Sequence, residues 1–179
     1  MTNPQTNIST ARLTFIFVLG AMLAGCDQTE WTTTHPPDQK FSVMLPAPPT
    51  RKVTTKDMSY GRLQTTTFFA QHKRSTYSVS VVEYPEAVFK RVPPEQMMDL
   101  ESTAVIGKYS GFQTSKSNTV FHSWSARWFS ADDPGSKATI ETYLFIAGGR
   151  EYLVSVTHPT KEPLSADGRR FFDSFKVDE

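Results

Sequence analysis

The sequence predicts an α+β domain built on a largely antiparallel sheet of about six strands, with one central and one C-terminal helix packed on it. Two observations carry this prediction. Runs of alternating apolar and polar residues dominate the chain from Phe41 onward, and this is the period of half-buried strands. Two other segments, one central and one at the end, repeat at helical spacing. The order strands, helix, strands, helix is typical of the α+β class.

One folded domain is predicted over residues 41–179, a length typical of a single domain. It opens with the strand FSVML. The runs LQTTTFFAQ and TYSVSVVEY then alternate with period two on either side of the polar HKRS, which predicts a hairpin. This hairpin places His72, Lys73 and Arg74 at its tip. Because two phenylalanines lie beside them and interfaces favour aromatic residues and arginine, the tip is a candidate partner-binding site.

The central helix is predicted to begin at the proline pair of PPEQMMD and to end near Gly107 or Gly111. Proline is tolerated in the first helical turn, because its missing N–H has no partner there anyway. Met97, Leu100 and Ala104 fall on one stripe of this helix. We expect the stripe to face the core, and we expect the methionines to serve packing rather than binding.

Three further alternating runs, HSWSARWFSA, KATIETYLFIA and EYLVSVTHP, are separated by short turns that contain glycine or proline. They predict an antiparallel meander. In the last segment Leu164, Phe171, Phe172 and Phe175 recur at helical spacing, and Ser165 is the expected N-cap. This helix is expected to dock on the sheet, because its phenylalanines bury a large apolar area.

Together these elements resemble small exported bacterial proteins of the PsbP-like α/β/α sandwich type. The likeness rests on FSVMLPAPP at the start, the central amphipathic helix, the long hairpin, and YLVSVTHP followed by DGRRFFDSFKV. Proteins of that type are mostly non-enzymatic accessory or assembly factors. The resemblance implies a binding or assembly role, although a fold alone does not fix a function.

Ahead of the domain, an apolar run from Leu13 to Ala24 follows a polar stretch whose only charged side chain is Arg12. The run is shorter than the roughly 20 residues that a membrane-spanning helix needs. Small residues follow it, as in a secretory signal peptide. We therefore expect residues 1–25 to be removed from the mature protein.

The end of this segment, Leu23-Ala24-Gly25-Cys26, resembles the lipobox of bacterial lipoproteins. The resemblance implies cleavage between Gly25 and Cys26 and fatty acyl chains, palmitate among them, attached through Cys26. Two or more such chains hold a protein stably on a membrane. The alternative is an ordinary signal peptide followed by a free thiol, although a lone exported cysteine has no internal partner.

The residues after Cys26 indicate where in the cell the protein is expected. Asp27 resembles the residue that keeps lipoproteins on the inner membrane of enteric bacteria, and a solvated linker aspartate is the alternative. Residues 26–40 are rich in threonine, proline and charge, so they are predicted to form a flexible tether. The domain is expected at the cell envelope, close to the lipid surface and facing the periplasm or the cell exterior.

Several function classes are disfavoured. Basic residues occur as scattered pairs and one triplet, so the sequence lacks the clustered positive charge that nucleic acid requires. The histidines have no metal-ligand spacing, and neither a G-x-S-x-G elbow nor a phosphate-binding glycine loop is present. We expect no metal and no cofactor, and we assign no catalytic residue.

Two hypotheses for function remain. The first is a tethered, non-catalytic module that binds an envelope protein or an apolar small molecule. The second is a cell-envelope enzyme of the hydrolase type, whose site is assembled from distant residues. The second requires a cleft with convergent polar groups and a titratable residue of strongly shifted pKa. It would be rejected if His122 and His158 were far apart and had no carboxylate or serine neighbour.

Overall fold

The computed structural model describes residues 29–108 and 113–178. The predicted signal peptide, with Gly25, Cys26 and Asp27, lies outside the described residues. In chain order these residues form β1 (Thr32–Thr34), β2 (Phe41–Leu45), β3 (Thr50–Met58), β4 (Gly61–His72), β5 (Ser75–Glu83), α1 (Glu86–Phe89), α2 (Pro94–Lys108), β6 (Gln113–Phe121), β7 (Trp124–Asp133), β8 (Ala138–Ala147), β9 (Arg150–Pro159), α3 (Ala166–Ser174) and β10 (Lys176–Val177).

Seven antiparallel strands form the main sheet in the order β3-β4-β5-β9-β8-β7-β6. The predicted hairpin is β4–β5, and the predicted meander is β7–β8–β9. These elements and the α+β class are confirmed, whereas the expected count of about six strands is wrong. The sequence did not reveal the edge strands β3 and β6, because mostly polar residues on an edge show no alternating pattern.

A smaller sheet of β1, β2 and β10 corrects the predicted tether. Thr32 to Thr34 pair with β2, and Trp31 is buried with 8% of its surface exposed. Its ring meets the Tyr77 ring edge-to-face at 5.1 Å between centroids, and the Arg170 guanidinium lies 5.2 Å from the centroid of the indole. Residues from Trp31 onward are therefore part of the fold, and the predicted tether does not extend to residue 40.

The two longer helices lie on opposite faces of the main sheet. Phe172 of α3 contacts Tyr143 with ring centroids 5.0 Å apart. The Arg127 side chain donates hydrogen bonds to side chains of α2. Arg127 pairs in register with Leu144, so both side chains are on the face of the sheet that α2 covers. Successive strand residues such as Tyr143 and Leu144 point to opposite faces. The sheet is consequently the middle of three layers.

The C-terminal helix α3 forms as predicted. The Ser165 hydroxyl accepts a hydrogen bond from the Gly168 N–H at 3.0 Å, which confirms the N-cap. Phe171 and the adjoining Phe175 are fully buried in an aromatic core. Gly168 has a packing role, because a Cβ there would overlap the Leu164 side chain.

The central helix α2 has the predicted bounds but not the predicted face. Leu100 is 62% exposed, Ala104 is also exposed, and of the predicted stripe only Met97 is buried. The residues that α2 buries are Met97, Met98, Ser102, Val105 and Ile106. Both the predicted stripe and the buried one have helical spacing, so the sequence alone does not say which of them faces the sheet. A contact between α2 and β7 decides this.

That contact is a pair of ion pairs centred on Arg127, whose side chain is 4% exposed. Its Nη2 lies 2.6 Å from Glu95 Oε2, and its Nε lies 2.8 Å from Asp99 Oδ1. Both carboxylates are on the same side of α2, so this contact fixes the rotation of the helix about its axis. Leu100 is thereby turned away from the sheet.

We expect Arg127→Met to lower the free energy of unfolding by about 1–2 kcal/mol at pH 7, because it removes two charge-assisted hydrogen bonds. Hydrogen bonds from Arg127 lower the pKa of both Glu95 and Asp99. Carboxylates with lowered folded-state pKa values stabilise the fold above their unfolded pKa, and this contribution is lost as the pH falls below about 4. The difference between variant and wild type should therefore shrink on acidification.

Urea unfolding at a series of pH values measures this difference. Arg62→Met is the matched control, since it breaks an exposed ion pair with Asp57 and should change stability by less than about 0.5 kcal/mol. A deficit in Arg127→Met that persists unchanged into acid would contradict the assigned role.

Candidate ligand-binding site

A cavity of about 700 Å³ opens between the β3–β4 turn, α1 and α2. Its volume is within the range of small-molecule sites. We call this end of the main sheet the cavity end. The lining residues are Ser59, Tyr60, Tyr84, Ala87, Val88, Arg91, Val92, Met97, Leu100 and Glu101.

Local sequence explains how these elements come together. Gly61 has φ +125°, a conformation that side-chain-bearing residues rarely adopt, and a Cβ there would lie 2.8 Å from Pro85 Cγ. Glycine thus lets the β3–β4 turn approach the start of α1 closely. This approach brings Tyr60 to the wall of the cavity, to which Leu100 of α2 also contributes.

The walls contain apolar side chains that the core does not bury. Within residues 29–108 and 113–178, the exposed large apolar side chains are Val53, Tyr60, Leu100 and Val120. Two of them, Tyr60 and Leu100, line the cavity. Exposed apolar surface gathered in a concave site is typical of ligand binding.

Two charged side chains, Arg91 and Glu101, also line the cavity. In the described part of the chain, neither forms a side-chain hydrogen bond or an ion pair. A second cavity of about 520 Å³ shares Tyr84 and Glu101 with the first and continues along Thr54 and Thr65. The combined site therefore has an apolar part and a polar part.

Behind Tyr84 lies a buried carboxyl group, that of Glu151, with 0% of its surface exposed. The Tyr84 hydroxyl donates toward both of its oxygens, at 3.5 Å each. Burial, and then the charge of Glu101, raise the pKa of Glu151 to about 8, while the Tyr84 hydrogen bond lowers it. Burial also raises the pKa of Tyr84. Glu151 consequently holds its proton near neutral pH.

The Glu151 carboxyl does not itself line the cavity. Tyr84 separates Glu151 from the cavity, so the carboxyl acts on a bound molecule only through the tyrosine hydroxyl. The lining thus combines the Tyr60 ring and the apolar side chains of Val88 and Leu100 with the polar groups of Tyr84 and Glu101.

The structure places the predicted hairpin tip far from this cavity, and all three tip side chains contact other parts of the fold. The contacts are His72 Nδ1 to Thr29 Oγ1 at 3.3 Å, Lys73 Nζ to Asp167 Oδ2 at 3.8 Å, and Arg74 Nη1 to Glu162 Oε1 at 2.6 Å. Lys73 and Arg74 remain largely exposed despite these ion pairs.

The two histidines considered for catalysis have separate surroundings. His122 Nε2 lies 3.2 Å from the Phe172 carbonyl oxygen. His158 Nε2 lies 3.2 Å from Glu141 Oε1, and its Nδ1 faces the Pro159 carbonyl at 3.2 Å. Both nitrogens of His158 are engaged in this way, and His158 therefore has a carboxylate neighbour, whereas the contact of His122 Nε2 is to a backbone carbonyl. The described ranges contain no cluster of three or more His, Cys, Asp or Glu side chains suited to a metal ion.

Sequence reasoning did not find Tyr84 or Glu151. A signal was present for Glu151, which occupies the α2-facing side of β9, a strand flanked by β5 and β8. A carboxyl group inside a central strand is unusual. The signal was weak, because Glu151 lies only two residues after the Gly148-Gly149 turn, and polar residues are common near the beginning of a strand.

Comparison with known protein families and with curated protein sequences finds no match. In the portion of the chain that the structure describes, no helix has the length and apolarity needed to cross a membrane.

Proposed function

We propose that this chain is a lipid-anchored lipoprotein of the cell envelope whose domain is a non-catalytic binding module for an apolar small molecule. The observation that carries the proposal is the cavity between the β3–β4 turn, α1 and α2, with the exposed Leu100 on its wall. The ligand we propose has an apolar body and one polar end, which meets Tyr84 and Glu101.

The binding module could instead recognise an envelope protein. The candidate surface for such a partner is the hairpin tip of His72, Lys73 and Arg74. The charges of Lys73 and Arg74 already pair with carboxylates of the same domain. A partner would have to compete with these contacts. In the described part of the chain, the charged cavity residues Arg91 and Glu101 have no ion pair to break, which favours the small molecule.

Leu100→Ala is expected to weaken binding of the apolar fluorescent probe N-phenyl-1-naphthylamine about tenfold, since removal of an apolar wall group costs roughly 1.4 kcal/mol of binding free energy. Val120→Ala is the matched control, because Val120 is 66% exposed but does not line the cavity. Fluorescence titration measures both affinities. Equal affinities for the two variants, or no binding by the wild type, would contradict the proposal.

The anchor is part of the same proposal. Processing at Gly25–Cys26 would leave Cys26 as an acylated N-terminal residue, and Asp27 favours retention on the inner membrane in a Gram-negative host. Intact-mass spectrometry of membrane-extracted protein tests this directly. The expected mass is that of residues 26–179 plus a diacylglyceryl group, with or without a further acyl chain, whereas an unmodified thiol would overturn the anchor.

We also propose that the fold is the PsbP-like α/β/α sandwich. Supporting this, α2 and α3 lie on opposite faces of one antiparallel sheet. An accessory role would agree with a module that binds without catalysis.

A cell-envelope hydrolase is the second candidate, and the raised pKa of Glu151 beside a cavity is the observation that favours it. Such an enzyme would use this carboxyl as a general acid through Tyr84. Substrate turnover that both Glu151→Gln and Tyr84→Phe abolish would support it.

A further inference from the structure

The two ends of the main sheet differ. The cavity lies at one end, and the other carries the β4–β5 turn, the β7–β8 turn and the segment between β9 and α3. β5 runs between these ends, and its 9 residues cover about 30 Å. Thr29 contacts His72 at the end away from the cavity. We call this the Thr29 end.

The proposed lipid attachment point is close to the Thr29 end. Cys26 precedes Thr29 by three residues, and three residues span at most about 10 Å when fully extended. Trp31 then fixes the chain to the fold through Tyr77 and Arg170. A lipid on Cys26 would therefore keep the Thr29 end close to the headgroups, and the cavity end lies about 30 Å from the Thr29 end along β5.

The charges at the Thr29 end also suit an anionic surface. Its cations are Lys73, Arg74, Lys137, Lys161, Arg169 and Arg170. Its acids are Glu30, Asp132, Asp133, Glu141, Glu162 and Asp167, and all but Glu30 accept a hydrogen bond or form an ion pair within the same domain. Lys137 and Lys161 lie together beside Arg74, and neither has an ion-pair partner in the described part of the chain. An anionic bilayer attracts lysines of this kind electrostatically.

We propose that the Thr29 end docks on the anionic phospholipid headgroups of the membrane that holds the anchor, so that the cavity opens away from the bilayer. The proposal rests on the lipidation of Cys26 given under the proposed function. Its consequence is that a ligand enters the cavity from the aqueous side rather than directly from the bilayer.

Two labelled variants of the full, lipidated protein test this orientation. Cys26 is the only cysteine and would be blocked by acylation, so Thr160→Cys at the Thr29 end and Ser59→Cys at the cavity end can each be labelled selectively. Both positions are exposed. In phosphatidylethanolamine–phosphatidylglycerol vesicles, a quencher attached to the headgroups should reduce emission from residue 160 severalfold more strongly than emission from residue 59. Equal quenching, or stronger quenching at residue 59, would overturn the proposal.

Two double variants test whether the lysines at the Thr29 end contribute to the docking. Lys137→Glu combined with Lys161→Glu should lose most of the quenching difference, as should vesicles of phosphatidylcholine alone. Lys56→Glu combined with Lys108→Glu makes the same charge change away from the Thr29 end and should keep it. If both double variants keep the difference, headgroup recognition by these lysines is wrong.

Failure of the anchor and failure of the docking give different results. Without a lipid on Cys26, the protein stays in the supernatant when vesicles are pelleted, and its intact mass lacks the acyl groups. With the lipid present but the docking wrong, the protein pellets with the vesicles and the two labels are quenched alike.

Discussion

Glu151→Gln is expected to raise the free energy of unfolding by roughly 3 kcal/mol at pH 7 and to leave it nearly unchanged at pH 4. Burial and the charge of Glu101 raise the pKa of Glu151 to about 8, whereas a glutamate in the unfolded chain titrates near 4.3. Between these values the unfolded state releases its proton more readily than the folded state. Wild-type stability therefore falls as the pH rises from about 4.5 to about 8, and the glutamine variant does not share this loss.

The variant should keep the local structure, because the glutamine carbonyl can still accept the Tyr84 hydroxyl. Guanidinium unfolding from pH 4 to pH 8.5 measures the two profiles. Glu86→Gln is the control, since the Glu86 side chain is 83% exposed and its loss should change stability by less than about 0.5 kcal/mol. A variant less stable than wild type at pH 7, or a wild-type profile flat above pH 5, would contradict the assignment.

Trp31→Ala is expected to lower the free energy of unfolding by about 3 kcal/mol. The indole is buried, contacts the Tyr77 ring edge-to-face and lies under the Arg170 guanidinium. Its removal leaves a cavity and frees the chain before β1, so the smaller sheet should weaken as well. Thermal and urea unfolding of the mature chain measure the loss.

Trp31→Phe is the matched variant, because a phenyl ring keeps the aromatic contact and should cost only about 1 kcal/mol. If residues 26–40 were a flexible tether, both substitutions would fall within about 0.5 kcal/mol of wild type. That outcome would also remove the short connection on which docking of the Thr29 end depends.

Strongly patterned elements were predictable from the sequence. The strands β4, β5, β7, β8 and β9 each have at least one buried apolar face, and α3 combines a serine N-cap with phenylalanines at helical spacing. In these segments, local preference and burial require the same residue types at the same positions. Edge strands receive no such signal, since little of β3 is buried.

The cavity was less accessible to prediction. Its walls come from the β3–β4 turn, Tyr84 and two helices, and the sequence does not specify how these separate segments approach one another. The rotation of α2 matters most, because it places Leu100 toward the cavity. A buried arginine on β7 sets that rotation through Glu95 and Asp99.

By itself the sequence determined the α+β class, the hairpin, the meander, the bounds of α2 and the capped C-terminal helix, because each of these follows from the periodicity of neighbouring residues. Only the tertiary structure decided that Trp31 belongs to the fold, that Leu100 faces a cavity, and that Glu151 is buried behind Tyr84. These features depend on contacts between residues far apart in the chain. Such contacts leave no periodic trace in the sequence.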